Sequence, residues 1–216
     1  MIGNLIMTLL MLAPSIAFQA ADDANFNQKC KIIAIAPAYI KQIYISPELD
    51  AAEDLELMPE NQIRLYEELG DYLCRTLNNS AGGKIEFLGY DDIRSRLADT
   101  YLWDQFIACF SGEGEFDAAV AAECANQLQT QAIITSKLLF SYYAQSNNQR
   151  LIEAYFEWAL VDLLSGQKTT EDSYSDTARF ADSDPEFISA EFACFARLAD
   201  RFISYFGDYF DFENTN

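Results

Sequence analysis

Residues 131–167 read QAIITSKLLFSYYAQSNNQRLIEAYFEWALVDLLSGQ. Two long apolar-aromatic runs flank a polar break, Gln145 to Gln149, and the second run ends in Val161-Asp162-Leu163-Leu164-Ser165-Gly166. Runs of this composition bounded by turn formers predict a wide antiparallel β-hairpin whose second strand closes on a glycine turn. Side chains alternate across a strand, so Ile152, Ala154, Phe156, Trp158 and Leu160 share one face of the second strand. Glu153, Tyr155, Glu157, Ala159 and Val161 share the other. One face therefore packs a core and the other is mixed. A turn centred near Asn147 sets Lys137 opposite Glu157. Opposite charges across a ladder contribute about 0.2–1 kcal/mol. That pair also helps hold the register, because a one-residue slip would exchange the two faces.

Upstream, Lys31-Ile32-Ile33-Ala34-Ile35-Ala36-Pro37 is a continuous apolar run ended by proline, the pattern of a strand covered on both faces. Tyr39 to Glu56 reads as a long connection with a Ser46-Pro47 turn signal. Pro59 suits a helix start, where its missing N–H costs nothing, and Ile63, Tyr66, Leu69, Leu73 and Leu77 follow at helical spacing. Asn78-Asn79-Ser80 and Gly82-Gly83 end that helix, and Lys84–Leu88 is a second short strand. Asp91 to Leu97 reads as a short helix with Asp91 or Asp92 as its cap. Residues 100–129 form a helical insert broken at Ser111-Gly112-Glu113-Gly114, its second half rich in alanine. Lys168 to Thr177 fits a third, edge-like strand, and Asp184-Pro185 opens a last helix running from Glu186 to Phe206. That helix is apolar nearly all round, with only Arg197, Asp200, Arg201 and Ser204 as a polar stripe, so it is buried between layers or shared with a second subunit. The fold class is α/β: a sandwich with a mixed sheet of about four to five strands, a long hairpin, and helices packed on the sheet.

The chain begins MIGNLIMTLLMLAPSIAFQA. Its apolar stretch from Leu5 to Ile16 is too short for a bilayer, which takes roughly 20 residues, and fits a secretory signal. Cleavage after Ala17 or after Ala20 both suit the small residues there, so residues 1–20 are assigned to a signal and 21–29 to a disordered mature start. Residues 30–207 are a single domain on length, and 208–216 an acidic-aromatic tail. Phe26-Asn27-Gln28-Lys29 precedes Cys30 where a lipid-attachment box would need small apolar residues. The protein is therefore expected in the periplasm or secreted, with no transmembrane span after the signal. With 34 acidic and 14 basic residues the net charge is −20. Such a surface repels nucleic acid, whose binding requires Lys and Arg on phosphates, and a basic partner would complement it. Five cysteines, Cys30, Cys74, Cys109, Cys124 and Cys194, would leave one unpaired in an oxidising compartment. A Cys109–Cys124 bridge would staple the helical insert. Cys74 and Cys194 read as small core residues.

The order strand, helix, strand, short helix, helical insert, wide hairpin and final helix resembles the periplasmic α/β domain of the CsgG-like and LpoB-like envelope accessory proteins. The residues carrying the resemblance are Lys31–Pro37, Leu69–Leu77, Phe87–Leu97, Ala125–Ser136 and Leu160–Gln167. Two positions depart from it: Gln129 and Ser136 stand where members carry glycine. The resemblance implies a soluble accessory domain, with ring or other homo-oligomers known among relatives of the fold.

There is no histidine in the chain, which removes Ser-His-Asp and Cys-His triads and His-bearing zinc sites. No cofactor or metal is expected, and no catalytic residue is assigned. Carboxylate-only chemistry has Glu153 with Glu157, Asp91 with Asp92, and Glu67 with Glu68 as its candidates. The first pair, four residues apart on a strand, is separated by roughly 13 Å, wider than the roughly 5–9.5 Å of working glycosidase carboxyls. The reading is a non-catalytic exported accessory or adaptor protein of the bacterial envelope, serving a synthesis, secretion or surface-assembly machine. Its candidate contact residues are Tyr143, Glu153, Tyr155 and Glu157 on the mixed hairpin face, and Tyr209, Phe210 and Phe212 in the tail. The alternatives are a carboxylate-only hydrolase, or a binder of a small or basic ligand in a tyrosine-lined pocket.

Overall fold

A computed structural model describes residues 30–45, 59–97, 101–111, 116–145, 149–181 and 187–212. The signal segment, the hairpin turn at 146–148, the glycine break at 112–115 and the tail beyond Phe212 lie outside these residues. The elements are β1 (Ile32–Ile35), β2 (Tyr39–Ile45), α1 (Pro59–Ala81), β3 (Glu86–Leu88), α2 (Tyr90–Leu97), α3 (Leu102–Phe110), α4 (Ala118–Leu128), β4 (Ala132–Gln145), β5 (Gln149–Asp162), β6 (Lys168–Ala181) and α5 (Phe187–Tyr209). The sheet runs β3-β1-β4-β5-β6, with β2 also paired to β4.

The hairpin forms as its sequence dictates. β4 and β5 pair antiparallel over fourteen residues each, and Lys137 stands opposite Glu157. β6 extends the ladder as an edge strand.

The expected long connection after Pro37 begins instead as a strand. β1 pairs parallel with the start of β4, at Ile35↔Ile134, and β2 resumes on the same edge at Tyr39↔Lys137. The one-residue offset between the two registers takes up Pro37, which has no N–H to give the ladder. Proline thus divides one edge into two strands and makes the sheet six-stranded.

A further correction concerns a helix end. Asp91 and Asp92 lie inside the first turn of α2, and the Ile93 amide donates to the Gly89 carbonyl at 3.0 Å. They favour the helix through its dipole and not as caps. α4 is capped by Asp117, whose side chain accepts from the Ala119 and Val120 amides.

Two cores sandwich the sheet. On one face α1 contributes Leu73 and Leu77, and α5 contributes Phe195, Leu198, Phe202 and Phe206, against Leu138, Phe140, Phe156, Trp158 and Leu160. On the other face the three short helices bury Ile93, Leu97, Phe106, Phe110, Cys124 and Leu128 against Ala34, Ile133, Ala159 and Val161. The long helix α5 is thus buried within the domain, and the predicted polar stripe at Arg197, Asp200, Arg201 and Ser204 is exposed. Its Arg197 pairs with Asp176 of β6.

Gln129 ends α4 in the left-handed region, at φ 56°. Thr130 then donates its amide to Ala125 O at 3.1 Å. This is a helix ending that glycine adopts without steric cost. Gln129 is exposed and its side chain offsets nothing there. Gln129→Gly is expected to raise stability by about 1 kcal/mol. A thermal melt checks it, and an unchanged or lowered midpoint would contradict the account.

Candidate functional site

The three short helices cover only the start of the hairpin's second face. Ile133, Ala159 and Val161 are buried beneath them, but farther along the same face Lys137, Leu139, Tyr143, Leu151, Tyr155 and Glu157 are half-buried and Glu153 is exposed. β2 adds Lys41 and Tyr44, the latter 44% exposed. Four of the sequence-predicted contact residues therefore share one surface. Tyr143 donates its hydroxyl to Glu153 Oε2 at 3.2 Å, and its ring lies 5.2 Å from that of Tyr44. The carboxyls of Glu153 and Glu157 lie on this face, while Asp91 and Asp92 are exposed on α2. The side chains of Glu67 and Glu68 are outside the described set.

The tail residues do not join that surface. Asp211 takes φ 54°, and the Phe212 amide turns back to Gly207 O at 2.9 Å while the Asp211 amide reaches Asp208 O at 3.3 Å. These two bonds close α5 in a Schellman motif. Lys84 then donates to Asp211 O at 2.7 Å, placing a cation at the negative helix end. Phe212 is only 6% exposed and meets Phe87 edge-on, with Phe210 stacked beside it. Tyr209 and Phe210 pack against the same core. Phe212 is thus buried in the domain's own interior, while Tyr209 and Phe210 stay half-buried and lie apart from the hairpin face.

Where the short-helix layer stops, it leaves a cleft of about 530 Å³. Its floor is Thr135, Lys137, Glu157 and Ala159. One wall is Cys109 and Phe110 at the end of α3, with Phe116, and the other is Gly166 and Lys168 at the β5–β6 turn. Asp162 organises that turn, accepting from the Leu164 amide at 2.8 Å and the Ser165 hydroxyl at 3.0 Å. Gly166 follows at φ 69°. Lys168 is neutralised by Glu171 at 2.5 Å. Sequence reasoning found the Lys137–Glu157 pair and the glycine turn but not the cleft, and the cleft is not the tyrosine-lined pocket expected of a small-ligand binder.

All five cysteines are free thiols, so the Cys109–Cys124 bridge is not formed. Cys124 points into the core beneath α3 and α4, where burial, then neighbouring Cys109, pushes its pKa up to about 11. Burial, followed by Asp162, raises Cys30 to about 12, and burial, followed by Asp92 and Asp71, raises Cys74 to about 11. The fold holds these thiols protonated. Their contribution to stability is present in full below the ordinary thiol pKa of 9.0 and is lost as pH rises through about 11 to 12. At pH 8, alkylation of Cys74 and Cys124 is expected to run about a hundredfold slower in the native than in the unfolded chain, because the thiolate is the nucleophile. Peptide mapping after iodoacetamide checks it, and native labelling at the unfolded rate would contradict the burial.

No family model matches the chain, and no curated protein matches it. Among solved structures, it is similar to the lipoprotein GNA1162 from Neisseria meningitidis, at 9% identity and a TM-score of 0.41, over 82% of this chain and 99% of that one. It is similar to the hypothetical protein CT253 from Chlamydia trachomatis at 15% identity and a TM-score of 0.44, over 84% and 98%. It is also similar to the LpoB C-terminal domain from Salmonella enterica at 11% identity and a TM-score of 0.31, over 73% and 93%. Similarity this low assigns no activity to the chain.

Proposed function

We propose that the chain is a non-catalytic, exported accessory protein of the bacterial cell envelope that works by binding another protein on the open hairpin face. The observation carrying this reading is the uncovered half of the sheet. Leu139, Tyr143, Leu151 and Tyr155 stand half-buried there beside Glu153. Aromatic side chains ringed by polar ones are the usual anchors of an interface. Export rests on the apolar run from Leu5 to Ile16, and the non-catalytic reading on a chain without histidine. The acidic surface favours a partner with a basic face, and a ring or other homo-oligomer is a second form the same contact could take.

The test is affinity capture of the mature protein from envelope extract, with its native mass measured beside it. Tyr155→Ala and Tyr143→Ala are run in parallel. A partner or an oligomer that both variants lose supports the reading. A monomer without a partner, or a captured set that the variants leave unchanged, overturns it.

A further inference from the structure

We infer that the cleft between α3 and the β5–β6 turn binds a zwitterionic head group that carries a large apolar substituent, the chemistry of an aromatic α-amino acid. The volume of about 530 Å³ lies within the roughly 300–1,000 Å³ of small-ligand sites. The lining is divided. Phe110, Phe116 and Val161 supply an apolar end, and Lys137 and Glu157 stand on the floor. Those two residues are directly opposite in the ladder, where Cβ atoms come within about 4.5–5.5 Å. Even so, neither takes part in an ion pair among the described residues, where the pairs are Arg96–Glu86, Lys168–Glu171 and Arg197–Asp176. Both are half-buried, so water reaches each side chain only in part.

The signs decide the ligand. Lys168 is already neutralised by Glu171, which leaves one positive and one negative group on the floor. A simple anion would gain Lys137 and be repelled by Glu157, and by a chain of net charge −20. A simple cation would meet the reverse conflict at Lys137. A ligand holding a carboxylate and an ammonium a few ångströms apart satisfies both at once, and its apolar substituent displaces water from the exposed Phe116 ring. The inference does not depend on the open face binding a partner.

Calorimetric titration of the full chain with L-phenylalanine, phenylalaninamide and 3-phenylpropionate tests it. Phenylalanine should bind saturably, and the analogue lacking either charge should bind about tenfold more weakly, because it leaves one charged partner unmet. Lys137→Met should erase the preference for phenylalanine over the amide and keep the preference over 3-phenylpropionate. Glu157→Gln should do the opposite. Phe116→Ala should weaken all ligands alike, and circular dichroism confirms that each variant is folded. Absence of saturable binding, equal binding of the three ligands, or preferences untouched by the two charge variants would each overturn the inference.

Discussion

Trp158→Ala is expected to cost about 3–5 kcal/mol, the range for deleting a large aromatic side chain from a closed core. Domains of this size are stable by only about 5–15 kcal/mol, so the variant should lose much of its margin. The indole is 1% exposed and lies at the centre of the aromatic cluster on α5. Its ring centroid is 4.9 Å from Phe202, 5.2 Å from Tyr205 and 5.4 Å from Phe206. Three partners on one helix mean that a single truncation loosens the whole contact between α5 and the hairpin. The cavity cannot close by sliding the strand, because β5 is held on both sides by long ladders. Urea denaturation should show a midpoint lower by about 2 M, for a slope of about 2 kcal/mol per M. Tyr155, on the opposite face of the same strand, gives the contrast: Tyr155→Ala should cost less than about 1 kcal/mol. Equal losses at the two positions would mean that the face assignment is wrong.

That contrast was legible in the sequence, because parity along a strand is a local property. Fourteen-residue strands alternate long enough for the apolar face to declare itself, and a short polar break leaves little freedom in register. Lys137 opposite Glu157 follows from this alone. The strand at Tyr39–Ile45 was harder to see. Pro37 reads as a terminator, and only the partner strand β4, nearly a hundred residues on, shows that the chain continues along the same edge. The tail is ambiguous in sequence for a related reason. Tyr209, Phe210 and Phe212 beside Asp211 suit either a contact surface or packing back on the domain, and only a backbone feature, the left-handed turn at Asp211, returns Phe212 to Phe87. The cleft was least legible of all. Its floor lies in the hairpin, but its walls come from Cys109, Phe110, Phe116, Gly166 and Lys168, and no local pattern joins them.

Gly166→Ala is the variant that tests that junction, and the expected cost is about 2–3 kcal/mol. Two effects contribute. At φ 69° an L-residue is strained by about 1–2 kcal/mol. A Cβ at this position would also stand 2.7 Å from Phe116 Cζ and 2.8 Å from Cδ1, inside van der Waals contact. The Phe116 ring thus lies on the bare glycine backbone and joins the helical wall of the cleft to the β5–β6 turn. The ring is 40% exposed and can swing outward, so the clash term should be smaller than in a closed core. A double-mutant cycle separates the parts. In the Phe116→Ala background the cost of Gly166→Ala should fall to the backbone strain alone, giving a coupling of about 1 kcal/mol. The same cycle reports on the site. If Phe116 is displaced in Gly166→Ala, phenylalanine should bind more weakly there although neither charge on the floor has changed. A full cost that persists without Phe116 would place all of it in the backbone and remove the ring from the wall.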